Sequence, residues 1–180
     1  MKKKLLALVM AMSMIMTVFG MVAAAEEAET AETEVTEAVE GTTVTGELLD
    51  VAQIMVEAAQ AKAIEIDVPM VISVMDMGGN LVLLHRMENS LLASLEISQN
   101  KAYTAVALKM PSSTVKELAQ EGQELQGIAV DHAGKIVEFG GGLPIYNADG
   151  VQIGGIGVSG GSVEEDTSVA QAGLDAYEAQ

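Results

Sequence analysis

Several side-chain patterns in this 180-residue chain could do chemistry. The first is "GGIGVSGG" at 154–161, in which Gly155, Gly157 and Gly160 spell G-x-G-x-x-G. Between a strand and a helix, that spacing can present backbone N–H groups to a pyrophosphate. A second is the pair of imidazoles, His85 and His132, the only two in the chain. Neither has the i, i+4 companion of a zinc-binding helix. A third is the triplet Glu164-Glu165-Asp166, whose charge at a helix start suits the helix dipole better than a metal. A fourth is Lys101 with Thr104, three apart and so on one helix face. With Tyr103 and Ser112 nearby, they could line a pocket against the "GGGLP" loop at 140–144. The alternative is structural, with the lysine holding backbone carbonyls. Hydrolysis finds little support, because the chain has no cysteine and no G-x-S-x-G elbow.

The glycine motif fails as a dinucleotide turn. That fold needs a helix, a second parallel strand and then an acidic residue about 20 positions on. Only 20 residues follow Gly160, and one helix uses them up. Its acidic first turn would also repel a pyrophosphate. What glycines allow is close approach of a backbone, a helix or a flat ligand. Helix-on-sheet packing and a ligand surface both remain open at this point.

The elements follow from periodicity. Leu48, Ala52, Met55, Val56, Ala59 and Ala63 recur at helical spacing over about Leu48 to Ile64. "MVISVMD" and "LVLLHRM", joined by Gly78-Gly79-Asn80, read as a hairpin from Met70 to Met87. A long small-residue helix spans Ser94 to Lys109 and stops at Pro111; a short one follows, with Thr114 and Glu117 as a capping box. Segment 125–134 is ambiguous, and "VDHAG" within it looks turn-like. "KIVEF", "LPIYN" and "VQIGGIGVSG" predict three more strands, and Ser162 with Glu165 a second capping box ahead of a helix to Tyr177. Five mostly hairpin-linked strands with helices around them predict an α+β domain with an antiparallel sheet.

Lys2, Lys3 and Lys4, an apolar run from Leu5 to about Val22 and "AAAEE" describe a secretory signal peptide over 1–25. An uncleaved membrane anchor is the alternative. Export followed by cleavage predicts a secreted protein without stable membrane insertion. Residues 26–47 read as an acidic, flexible spacer, and 48–180 as one domain. Residues 51–180 carry 17 acidic and six basic residues, a net of −11. Such a charge repels nucleic acid and anionic membranes. Met55, Met70, Met75, Met77, Met87 and Met110 form no M-x-x-M array, which favours gap filling in the core.

The ordered blocks "VISVMDMGGNLVLLHRME", "KAYTAVALKMPSS", "GGGLPIYNADGVQIGGIGVSGGSVEED" and "AQAGLDAY" resemble the GlcG/HbpS family over about Leu48 to Gln180. That family includes haem-binding secreted proteins and the C-terminal domain of PduO-type corrinoid adenosyltransferases. The resemblance implies a profilin-like α/β/α fold with a five-stranded antiparallel sheet, homo-oligomers, and binding of haem or a related tetrapyrrole. A corrinoid is the alternative ligand. It implies a binding protein that sequesters, senses or delivers its ligand, rather than an enzyme. The competing reading is a small-ligand or redox-linked accessory protein that uses the glycine-lined surface. The family motifs fall on Arg86-Met87, on Lys101, Ala102, Thr104 and Ala105, on Pro111-Ser112, and on Gly141, Gly142 and Pro144. Here Glu88-Asn89-Ser90 replaces the family's Asp-Gly-Ala. For a haem, His85 and His132 are the imidazoles that could meet iron, and Arg86 could pair with a propionate.

Overall fold

A computed structural model describes residues 47–180. The expected signal peptide, and the spacer up to residue 46, lie outside the described residues. Helix α1 (Glu47–Glu65) leads through a turn into strands β1 (Val71–Asp76) and β2 (Leu81–Arg86). Helix α2 (Ser94–Leu108) and two short helices, α3 (Ser112–Leu118) and α4 (Ile128–Asp131), come next. Strands β3 (Gly142–Tyr146) and β4 (Gln152–Ser159) and helix α5 (Val163–Glu178) complete the domain.

The β1–β2 hairpin turns where Asp76 accepts hydrogen bonds from the N–H groups of Gly78 (2.8 Å) and Asn80 (2.9 Å). Gly79 there sits at φ 74°, a conformation that glycine adopts without a Cβ clash. Strand order is β2-β1-β4-β3, every pairing antiparallel. The sheet therefore has no parallel crossover at which a dinucleotide crevice could form.

Alternation along the strands gives the sheet two unlike faces. One carries Ile72, Val74, Leu143, Ile145, Ile156 and Val158, which pack with Met55, Ala59, Val169 and Leu174 of α1 and α5. Each fully buried aliphatic side chain there contributes ~1.5–3 kcal/mol. The other face carries Ser73 and Met75 of β1, with Gly157 and Gly155 opposite them in β4. It is nearly bare, and α2 lies on it. A Cβ on Gly157 would strike the Ser98 carbonyl and the Ala102 backbone; one on Gly155 would meet the Ala102 carbonyl at 2.8 Å. The buried side of α2 is correspondingly small, with Ser94, Ser98, Ala102 and Ala105, and Ser98 hydrogen-bonds Ser73 at 2.8 Å. The glycine run is a seat for a helix.

Two expectations need correction. The described residues form a four-stranded sheet, because "KIVEF" is irregular. Ile136 and Val137 are buried, but the Val137 N–H donates to Thr104 Oγ1 at 3.0 Å instead of to a neighbouring strand. A side chain of α2 thus takes the place that a ladder would fill. Thr114 does not cap α3, which begins at Ser112 behind Pro111 and has no side-chain cap. The second capping box forms as expected: Glu165 N–H donates to Ser162 Oγ, and the Ser162 N–H to Glu165 Oε2 at 2.7 Å.

Candidate functional site

The polar residues singled out on α2 form a filled seam. Lys101 is 1% exposed. Its ammonium donates to Asp166 Oδ2 at 2.5 Å and to the Val158 carbonyl at 2.8 Å, and it lies 5.2 Å from the centre of the Phe139 ring. Asp166 in turn accepts from the Gly161 N–H at 2.9 Å. One buried ion pair thus ties α2, β4 and α5 together. Burial pushes the Asp166 carboxyl above its usual range, against the pull of Lys101. Burial likewise pushes the Lys101 ammonium down, against the pull of Asp166. Charge removed from water pays a desolvation penalty that even a close partner only offsets.

The glycine loop closes on this seam. Ser112 Oγ accepts from the Gly142 N–H at 2.9 Å, and a Cβ on Gly141 (φ 105°) would meet Lys101 Nζ at 2.7 Å. Pro144 stands opposite Gly155 in the edge strand β3. A proline fits there, since β3 has no outer neighbour awaiting its N–H. Lys101, Ser112, Gly141 and Gly142 are therefore brought together, whereas Thr104 turns to the Val137 N–H. Among the described residues they contact one another and neighbouring backbone. The acidic triplet also divides. Glu165 completes the capping box, whereas Asp166 is the buried partner of Lys101.

The remaining candidates lie elsewhere. His85 is in β2 opposite Ile72, on the α1 side of the sheet. Its Nε2 is buried and has no hydrogen-bond partner. Arg86, next along the strand, points to the other face and reaches Ser90 at 3.3 and 3.5 Å. Strand alternation thus separates the imidazole from the guanidinium that was expected to work beside it. His132 follows α4 and is exposed. Tyr103 lines a 220 Å³ cleft with Gly79, Glu96 and Lys135, whose ammonium is 5.7 Å from its ring centre. Among the described residues no cluster of three or more His, Asp or Glu could hold a bare metal ion.

The larger clefts contain none of these residues. One of 440 Å³ is lined by Leu48, Val51, Met77, Asn147, Gln152, Ile153 and Tyr177. A second, of 450 Å³, shares Asn147 and Tyr177 with it and adds Tyr146, Ala148, Glu178 and Gln180. Both fall within the ~300–1,000 Å³ of small-molecule sites. Val51, Ile153 and Tyr177 also pack on the main core, so one wall of the first cleft is apolar and anchored. The residues present suit a flat apolar macrocycle with a metal at its centre: an apolar wall, a tyrosine hydroxyl, a thioether and, elsewhere, an imidazole nitrogen without a partner. Sequence reading missed this place. "AQAGLDAY" shows a tyrosine late in a helix, but not that the ends of α5, α1, β1 and β4 meet around it.

Known proteins share this architecture. The family model described as "Haem degrading protein HbpS-like" matches residues 48–175. A 15.0 kDa protein of Citrobacter freundii, from the dhaT-dhaS intergenic region, is 44% identical over 129 residues, covering 72% of this chain and 90% of that protein. The corrinoid adenosyltransferase PduO of Salmonella typhimurium is 39% identical over 137 residues, which span 76% of this chain but only 40% of PduO. The crystal structure of a PduOC–haem complex matches with a TM-score of 0.69 and 38% identity, over 71% of this chain and 91% of that one.

Proposed function

The chain belongs to the HbpS-like family, and on that footing we propose that it binds haem. The observation that carries this reading is its likeness, at 38% identity and over nearly the whole of that chain, to a domain crystallised with haem. The protein would supply an apolar site and an iron ligand; the bound group would supply the redox and light-absorbing chemistry of its iron. We propose His85 and His132 as the imidazoles to test, His85 first because its Nε2 makes no bond to protein. The proposed role is sequestration, sensing or delivery after export, without turnover. The rival use of the glycine-lined surface loses support, because α2 covers Gly155 and Gly157.

Hemin titration of the full chain tests the reading. A saturable Soret shift at micromolar protein is expected. Its absence would remove haem as the ligand, and saturation by a cobalamin instead would favour a corrinoid, as the likeness to part of PduO allows. Loss of the Soret band under a reductant and oxygen, with release of iron, would mean turnover. His85→Ala and His132→Ala then test the axial role.

A homo-oligomer is part of the same proposal. Leu91 and Leu92, between β2 and α2, are 62% and 77% exposed, and both β2 and β3 are edge strands. Open edges and exposed leucines are surfaces that a second copy can cover.

A further inference from the structure

We propose that the tetrapyrrole sits in the double cleft around Tyr177, with the Tyr177 hydroxyl as the iron ligand. This deepens the haem reading and rests on it. Three observations point there. The two clefts, of 440 and 450 Å³, meet at Asn147 and Tyr177, so a flat ligand could extend from one into the other past the tyrosine ring. Their apolar wall, Val51, Ile153 and the Tyr177 ring, is continuous with the core, and so is held rigidly before the ligand arrives. Among the described residues, polar atoms at the junction also remain open to a ligand. Side-chain hydrogen bonds at this end of α5 run from Gln171 to Asp175 and from Gln180 to the Ala176 carbonyl, and bypass the Tyr177 hydroxyl. Asn147 uses its Oδ1 to accept from the Asp149 and Val151 N–H groups, which leaves its amide nitrogen to donate to a propionate.

The chemistry suits ferric haem. Tyrosine is an established protein ligand to haem iron. The Tyr177 oxygen would replace the axial water of hemin, which would leave to solvent together with the phenolic proton, with no change in oxidation state. Met77, 40% exposed, lines the same cleft and offers a thioether. Neither histidine lines either cleft. His85 pairs with Ile72 near the start of β1, whereas Met77 follows the end of that strand.

The test is hemin titration of the full chain carrying Tyr177→Phe, which keeps the ring and so the packing. Met77→Lys, a partly exposed position, places a charge at the cleft without touching the core. Tyr177→Phe is expected to lose the phenolate-to-iron(III) charge-transfer absorption and to weaken hemin binding at least tenfold. Met77→Lys is expected to weaken binding. Wild-type spectrum and affinity in Tyr177→Phe would overturn the Tyr177 site and leave haem binding intact. No Soret shift in the wild-type chain would overturn both.

Discussion

At the scale of single residues, the Lys101–Asp166 pair decides most. Removing one partner strands the other as a buried charge, which costs about 3–5 kcal/mol, whereas replacing both with apolar groups can be nearly neutral. Lys101→Met alone should therefore lower stability by about that amount. Adding Asp166→Leu should recover part of the loss, but not all, because Asp166 also accepts from the Gly161 N–H. Urea unfolding of the two single variants and the double one checks this. Additive losses would show that the pair is not coupled. Asp76 gives a pH signature. Burial disfavours its charge, but hydrogen bonds from the Asn80 side chain and from the Asn80 and Gly78 N–H groups outweigh that and hold its carboxyl below the usual carboxylate range. A depressed carboxyl stabilises the fold above the ordinary value and loses that contribution as pH falls through the folded one. Asp76→Asn should thus be less stable than wild type at pH 6, by about 0.5–1.5 kcal/mol. The gap should close in acid. A gap that persists below the folded value would contradict the assignment.

At the scale of elements, the glycine strand and α2 were half legible. The sequence shows that Gly155 and Gly157 permit close approach, but a bare strand suits a helix and a flat ligand equally well. The small face of α2 decides between them, and its facing partner is visible only once β4 and α2 are docked. Gly157→Ala should therefore cost at least about 3 kcal/mol, the upper end for overpacking. Val151→Ala, at a position 57% exposed, should stay within about 0.5 kcal/mol of wild type. Thermal unfolding of both measures the difference, and equal melting temperatures would refute the seat. "KIVEF" shows the opposite failure. Its β-branched, apolar composition reads as a strand, yet the group that satisfies Val137 is Thr104, 33 positions earlier. Composition cannot report a bond to a distant side chain. The Ser162–Glu165 box formed as read because both partners lie within one turn.

At the scale of the whole molecule, an antiparallel sheet with helices packed on it was legible from hairpin spacing and helical periodicity, and helices on both faces came with the family resemblance. The family was legible from the order of its motif blocks. The geometry of a site was not. His85 and Arg86 are neighbours in sequence and lie on opposite faces of the sheet. Lys101, Thr104 and Ser112, polar and buried, turned out to hold the fold. The large clefts, by contrast, are lined by residues such as Leu48, Met77, Asn147 and Tyr177, which are scattered along the chain. The proposed oligomer belongs at this scale too. Light scattering of the purified chain should give a multiple of the monomer mass, and Leu92→Lys should reduce it. A monomeric wild type would contradict the assembly.

Haem as the natural ligand is tested most directly by the absorption spectrum of the protein purified from its own host without added hemin. A Soret band is expected and, after extraction into alkaline pyridine, the haemochrome spectrum of iron protoporphyrin. A colourless protein, or one carrying a corrin spectrum, would contradict it.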